Sequence, residues 1–433
     1  RRSPARFLRP SSSGSNRLRP PRPGWLPASE MRTLPLKPQT AEVDWPMILA
    51  VLGLMTIGTF FIASTTLARE GAETLPWHRQ EHYKQLIWYA VGAGLGAAVC
   101  FLGHGPIARW SLVCYWVSIL LLVAVLIPGI GTQHGWGARR WIDLGPFQFQ
   151  PSEVAKLTFL LMMAHYLSRP AAELRQPMTF VKALGMSLLP CALILKEPDL
   201  GSALVFVPMG LAMMFVAGVP GRFLWRLIGG AGLIIVLLLV DILFAPSAWQ
   251  LKLEPYQRRR LMVYFGVNFV PPQASDAERQ RALREYRDAS HNVQQALISV
   301  GSGGLVGKGW RRGTQNTLGY LPRAVAHNDF IFSIVAEESG FVGGAAVLGL
   351  YAVVLLRGLR IASQARDRLG ALLAVGITAL FFCHVFINIG MNIRLTPVTG
   401  IPLPLLSYGG TSVLCSLIAV GLLQSVYRSS RNL

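Results

Sequence analysis

Asp329, in the run His327-Asn328-Asp329-Phe330, stands where a basic loop gives way to a long apolar stretch. Its carboxylate could act as a general base toward a hydroxyl group presented from that loop. A helix N-terminus and nearby cations would favour the ionised form, and the same position would equally suit a helix cap. Glu153 and Lys156, in QPSEVAK, are three residues apart and share one helical face. They could bind a charged ligand or neutralise each other. The loop before them, GWGARRWIDLGPFQFQ, adds Arg139, Arg140, Trp141 and Asp143. These types stack on a sugar and grip a phosphate, although Trp also gathers at membrane interfaces with no chemical role.

Three further groups carry charge. Lys196, Glu197 and Asp199 cluster around Pro198, where Asp199 is expected to cap the next helix. Glu337 and Glu338 are adjacent and cannot face the same way along a helix, so at least one needs a partner inside the fold. The stretch Gly301-Ser-Gly-Gly-Leu-Val-Gly-Lys-Gly309 is not a P-loop, because Ser302 occupies a required glycine position and Gly309 replaces the required Ser or Thr. It reads as a flexible turn, or as backbone amides that join Lys308 in binding another phosphate. The five cysteines, Cys100, Cys114, Cys191, Cys383 and Cys415, all lie in apolar runs without metal-ligand spacing and read as small core residues.

The elements that must position these groups are membrane helices. The chain has 433 residues, 52% hydrophobic and 14% charged, with a mean hydropathy of +0.43, which excludes an ordinary soluble protein. About 20 apolar residues cross a bilayer core. Roughly ten such stretches occur, near 46–67, 84–103, 107–129, 152–168, 180–196, 199–218, 223–244, 329–356, 370–391 and 407–427. The expected fold is an all-α polytopic integral membrane protein with one large extracytoplasmic loop, 245–327, between helices 7 and 8.

The formal net charge of +20 could mean nucleic acid, anionic lipid or topology; so apolar a chain excludes a soluble nucleic-acid binder. Residues 1–44, rich in Arg, Pro and Ser, are expected to be a disordered basic cytoplasmic tail. The first apolar run has the length of a span and reads as an anchor, not a cleaved signal. Basic turns at Arg169, Arg175 and Lys182, at Arg222 and Arg226, at Arg357 to Arg368, and at Arg428 and Arg431 fall on the tail's side. By the positive-inside rule both termini are cytoplasmic. Loop 245–327 nonetheless carries 12 basic and 5 acidic residues on the opposite face, including Arg258-Arg-Arg260. Within it, Ser275 to Ser299 has helical composition with sparse apolar positions and is expected to lie on the outer leaflet. The run Pro397-Val-Thr-Gly-Ile-Pro-Leu-Pro404, followed by Ser407-Tyr-Gly-Gly410, is too Pro-rich for a helix, and irregular backbone near a membrane is normally buried or lines a cavity.

In order, ARRWIDLG, FQPSEVAK, EPDLGSALV, YQRRRL, GSGGLVGKG, NDFIFSIVAEESG and PVTGIPLPLLSYGGTS resemble the motifs of the SEDS family of bacterial cell-wall polymerases. The resemblance runs from the first span to residue 427, and Asp143 and Val335-Ala-Glu-Glu338 favour the elongation branch. The family commonly has Gln where Glu197 stands and Gly near Arg394.

The resemblance implies a SEDS-type transmembrane domain over 45–433 in the bacterial inner membrane, with its active site facing the periplasm. It implies inverting peptidoglycan glycosyltransfer that uses lipid II to extend the nascent glycan strand, with C1 of the growing chain's reducing-end sugar as the centre attacked. Asp329 falls on the family's catalytic aspartate, and Glu153 and Lys156 on its functional glutamate and lysine. Asp329 would deprotonate the 4-hydroxyl of the acceptor N-acetylglucosamine as undecaprenyl pyrophosphate leaves. Lys156, Arg139, Lys308 and Arg258 are candidates to hold that pyrophosphate, with Glu153, Trp141 and His327 as further substrate-binding candidates. The sequence requires no cofactor; a divalent cation, Mg or Mn, could share the leaving group's charge. The implied partners are a class B penicillin-binding protein and other elongation-complex membrane proteins, with no nucleic acid. A flippase for lipid-linked precursors is the chief alternative, since broken helices and buried charges suit a transporter, and a membrane scaffold is a third. Concentration of the candidate groups at the outer mouth, away from the midplane, favours the enzyme.

Overall fold

The computed structural model of the chain describes residues 43–68, 76–132, 139–145, 147–244, 264–265, 276–321 and 325–431. Its long helices are α1 (Trp45–Leu67), α2 (Glu81–Leu102), α3 (Ser111–Leu126), α4 (Pro151–Leu167), α5 (Pro177–Lys196), α6 (Leu200–Ala217), α7 (Gly221–Phe244), α8 (Asp276–Ser302), α9 (Ile331–Gln364), α10 (Arg368–Asn392) and α11 (Gly410–Arg431). All but α8 fall on the ten expected apolar stretches. Eight are long and apolar enough to cross a membrane. The other two, α3 and α4, have 16 and 17 residues.

Helix starts follow local chemistry. Asp199 caps α6 by accepting from the Ser202 amide at 3.1 Å, as expected, and Asp367 caps α10 through the Gly370 amide at 2.9 Å. Pro151 and Pro177 open α4 and α5, where a missing N–H costs nothing. The bundle begins one residue earlier than the tail boundary implied. Asp44, counted with the tail, is a buried cap that accepts from the Met47 amide at 3.1 Å. Arg357 of α9 donates to both its carboxylate oxygens from Nε at 2.9 Å, and Gln424 of α11 accepts from its amide at 2.9 Å. One residue thereby joins three helices, α1 and α9 through its carboxylate and α11 through its backbone. Residues 1–42 of the expected tail lie outside the described residues.

Helices α2 and α11 approach backbone to backbone. A Cβ on Gly421 would stand 2.2 Å from the carbonyl oxygen of Gly96, the small-residue contact that lets membrane helices pack without a hydrophobic driving force. Helices α4, α6 and α10 form the centre, with Phe159 and Phe206 edge to face at 5.3 Å. By contrast, α7 is exposed along nearly its whole length.

Helix α9 is broken at Gly340, whose φ of 69° and ψ of −163° interrupt the hydrogen-bond ladder. The glycine-rich stretch repairs the gap. The amides of Lys308 and Gly309 donate to the carbonyls of Glu337 and Glu338 at 3.0 and 2.9 Å, while those of Phe341 and Val342 donate to Gly304 and Leu305 at 2.8 and 3.1 Å. A Cβ at Gly303 would stand 1.9 Å from the Ala336 carbonyl oxygen, so glycine here permits contact. The stretch is therefore neither a flexible turn nor an amide cradle for phosphate, since the Lys308 and Gly309 amides are already committed.

The expected outer helix is present as α8, but its C-terminal half packs on α9 and α10 instead of lying on lipid. Ser290, Val293, Ala296 and Ser299 are buried at three-residue spacing, while Leu297 is exposed. At the end of α10, Arg394 has a φ of 61°, which costs a non-glycine residue about 1–2 kcal/mol. That strain accounts for the glycine that the resemblance places near this position.

Candidate functional site

The Pro-rich segment 397–409 runs as irregular, largely buried backbone between α10 and α11. Its carbonyls would be orphaned in a membrane protein unless side chains reached them. Five do. Gln85 Nε2 donates to the Ser407 carbonyl at 3.1 Å, the Tyr89 hydroxyl to Leu405 at 2.6 Å and the Tyr351 hydroxyl to Pro404 at 2.7 Å. Asn388 Nδ2 donates to Ile401 at 2.7 Å, and His384 Nδ1 lies 3.1 Å from the Pro402 oxygen. None of the five was among the sequence candidates. The signal that could have found them is a lone polar residue in an apolar helix, which must find a partner inside the bundle.

Asp329 sits in the turn 325–330 that leads into α9. The helix is capped by Phe330 with no side-chain bond, so Asp329 is not its cap residue. Its own carbonyl accepts from Asn388 Nδ2 at 3.0 Å and from Asn392 Nδ2 at 3.1 Å. A Cβ on Gly400 would stand 3.4 Å from Asp329 Oδ2, which makes the Pro-rich segment one wall of the carboxylate. Ser407 Oγ donates to the neighbouring Asn328 carbonyl at 2.6 Å. His327 is buried, with Nδ1 3.6 Å from Glu81 Oε2 and its ring edge to face with Tyr408 at 5.2 Å. Burial, with Glu81 nearby, pushes the Tyr408 hydroxyl up to about 12.

Glu153 and Lys156 do form the i, i+3 pair, Nζ to Oε1 at 2.7 Å, both buried. Lys156 Nζ also lies 3.0 Å from His384 Nε2. These three groups line a small cavity with Pro404, Cys415 and Ser416. Lys156 is 1% exposed, so its charge is spent within the bundle.

Both adjacent glutamates are buried, and the connection 299–315 meets each of them. Glu337 accepts from Lys308 Nζ at 2.6 Å, Ser299 Oγ at 2.9 Å and the Gln315 amide at 3.1 Å. Glu338 accepts from Ser64 Oγ at 2.7 and 2.8 Å and from the Arg311 amide at 3.1 Å. The expected partner inside the fold is present for both acids, because the loop wraps the helix to meet each of them and Ser64 of α1 adds a second contact to Glu338.

The loop before α4 forms a small antiparallel sheet, β1 (Gly131–Thr132), β2 (Trp141–Asp143) and β3 (Gln148–Phe149). Arg139 and Trp141 are half-buried on it, and Asp143 closes its turn by accepting from the Gly145 amide at 2.9 Å. Arg140 Nε donates to the Glu197 carbonyl at 3.2 Å. Arg258 and its two neighbours lie outside the described residues. Among the described residues, no three His, Cys, Asp or Glu side chains gather to hold a metal ion.

Glu197, in the turn between α5 and α6, is fully buried and neither carboxylate oxygen has a hydrogen-bond partner. Burial first, then the charge of Asp199, pushes its carboxyl up to about 9, partly offset by Arg140. Between 4.5, its value when unfolded, and 9 the native state holds a proton that the unfolded chain releases, so stability falls as pH rises across that window. Glu197→Gln removes the titration. It is expected to stabilise the protein by on the order of 1–3 kcal/mol at pH 7, with a gain that grows from pH 6 to pH 9. Thermal unfolding of the two proteins in detergent reads this, and a gain independent of pH would refute it.

Comparison with known proteins adds a family match, two relatives and two solved structures. The family model for cell cycle proteins of the FtsW, RodA and SpoVE type matches residues 45–432. The chain is 36% identical over 318 residues to the peptidoglycan glycosyltransferase MrdB of Escherichia coli K12, covering 73% of this chain and 78% of that one. It is 33% identical over 441 aligned positions to the peptidoglycan glycosyltransferase RodA of Treponema pallidum, covering 89% and 98%. Among solved structures, it is similar to a chain of a peptidoglycan synthase complex studied for the structural coordination of polymerization and crosslinking. That match has a TM-score of 0.66 and 29% identity over 90% of this chain and 98% of that one. The rod shape determining protein RodA of Thermus thermophilus matches with a TM-score of 0.59 and 27% identity over 90% and 98%.

Proposed function

Since this chain belongs to the FtsW/RodA/SpoVE family of cell cycle proteins, the SEDS family, we propose that it is a RodA-type peptidoglycan glycosyltransferase that polymerises lipid II with Asp329 as general base. The observation that carries the assignment of the base is a contrast in exposure. Glu153, Glu197, Asp199, Glu337 and Glu338 are buried, whereas Asp329 is part-exposed at the turn before α9. A base must reach the proton that it takes, and only a reachable carboxylate can do so.

In the reaction, the Asp329 carboxylate accepts the proton of the acceptor's 4-hydroxyl. That oxygen forms the new bond to C1 of the growing chain's reducing-end sugar. The bond from C1 to undecaprenyl pyrophosphate breaks on the opposite face, and the anomeric centre inverts. The leaving pyrophosphate needs fixed positive charge. Lys156 is held by Glu153 and His384, and Lys308 by Glu337. The part-exposed Arg139 is therefore our first choice for that contact, with Trp141 beside it on the sheet, and Arg258 is a further candidate.

The purified protein is expected to convert lipid II into glycan strands, and a class B penicillin-binding protein, the proposed partner, is expected to raise the rate. Product length on gels reads the first and initial rates read the second; no strands in either arm, with or without Mg or Mn, would overturn the reading. The proposed setting is the bacterial inner membrane, termini in the cytoplasm and Asp329 facing the periplasm, as the basic turns support. The buried Glu153, Lys156 and His384 cluster is the feature that favours a transporter instead; lipid II translocation in protein-containing liposomes tests that second reading.

A further inference from the structure

His384 lies on α10 and is 3% exposed. Its Nδ1 faces the Pro402 carbonyl oxygen at 3.1 Å and its Nε2 faces the Lys156 ammonium at 3.0 Å. A carbonyl only accepts, so Nδ1 must carry the proton; an ammonium only donates, so Nε2 must offer its lone pair. Both ends therefore demand the same neutral tautomer. The ring is a bridge between the ion pair on α4 and the irregular segment that closes the site.

The bridge continues along α10. Asn388 and Asn392 follow at intervals of four, on the same helical face. Asn388 Nδ2 holds the Ile401 carbonyl at 2.7 Å and the Asp329 carbonyl at 3.0 Å, and Asn392 Nδ2 holds the Asp329 carbonyl again at 3.1 Å. Gly400, two residues before Pro402, borders the Asp329 carboxylate, since a Cβ there would stand 3.4 Å from Oδ2. The backbone from 400 to 402 is thus fixed from one helix face that also fixes the turn of Asp329.

We propose that His384 is a positioning residue for glycosyl transfer. It carries the Glu153–Lys156 pair to the Pro402 carbonyl and so holds the 400–402 wall in register with the Asp329 carboxylate. The proposal rests on Asp329 as the base. Proton transfer between a base and a hydroxyl depends on sub-ångström placement, and misplacement of about 1 Å costs on the order of 100-fold in rate. Lys156 and Glu153 then act on the reaction without touching substrate.

Two substitutions separate positioning from mere packing. His384→Phe keeps an aromatic volume and loses both bonds. His384→Gln keeps both, since its amide nitrogen donates to Pro402 and its amide oxygen accepts from Lys156. On the purified full chain with lipid II, His384→Phe is expected to lower kcat by about 10- to 100-fold with KM unchanged. His384→Gln is expected to stay within a few-fold of the parent. Equal activity in the two variants, high or low, or a change in KM in place of kcat, would overturn the role. If His384→Phe does not fold, His384→Asn replaces it, because its shorter amide reaches one partner at most. Asp329→Asn is assayed alongside. Its failure with full activity in His384→Phe removes His384 alone, whereas its retained activity removes the base on which the proposal stands.

Discussion

Asp329→Asn is expected to lower glycan polymerisation from lipid II by about 10²- to 10⁴-fold, the usual contribution of a positioned general base. Its thermal unfolding should stay that of the parent. The separation is clean because the contacts that hold the turn are to the Asp329 carbonyl, from Asn388 and Asn392, and the backbone carbonyl survives the change. The cap of α9 is also untouched, since the capping residue is Phe330. Asn is nearly isosteric with Asp but cannot take a proton from a sugar hydroxyl at neutral pH. Polymerisation within about tenfold of the parent, in protein whose unfolding curve is unaltered, would remove Asp329 from the chemistry.

Lys156→Met is expected to cost about 3–5 kcal/mol of stability, the penalty for leaving one member of a buried ion pair uncompensated. The surroundings make that penalty large. Glu153 is 4% exposed, Lys156 1% and His384 3%, so water cannot take over for the lost ammonium. The double variant Glu153→Gln with Lys156→Met should recover most of the loss, because two neutral side chains of similar volume replace the pair. Thermal or denaturant unfolding in detergent measures both. A single variant as stable as the parent would mean that the pair is not a structural unit. Activity adds a separate reading: a charge-swapped protein, Glu153→Lys with Lys156→Glu, that polymerised lipid II would exclude Lys156 as a direct ligand of the pyrophosphate.

The helices were legible because apolar length is a property of one continuous segment. Each of the ten bundle helices falls where the hydropathy placed it, and the Asp199 cap followed from residue type and position. The Asp44 junction was harder to read, since a Pro- and Arg-rich tail runs directly into the cap, and only Arg357, 313 residues away, reveals that the carboxylate is buried. The glycine-rich stretch was misread for a similar reason. Its composition signals freedom, but Gly303 and Gly307 are needed because carbonyl oxygens of the broken α9 lie 1.9 and 2.2 Å from where their side chains would start.

At the site, Asp329, Glu153 and Lys156 were visible as charges beside apolar runs. His384, Asn388 and Asn392 were not, because a neutral polar residue within a long apolar helix gives no hint of which distant carbonyl it serves.

The five donors that satisfy segment 397–409 reach it from α2, α9 and α10, with separations of up to 322 residues. This bears on portability. The most recognisable stretch of the chain, PVTGIPLPLLSYGG, is not a self-contained module. Cut out as a peptide it would be an unstructured Pro-rich strand, and grafted into a bundle without Gln85, Tyr89, Tyr351, His384 and Asn388 it would carry five bare carbonyls into a place that water does not reach. Any chimaera that exchanges the segment must therefore move three helices with it.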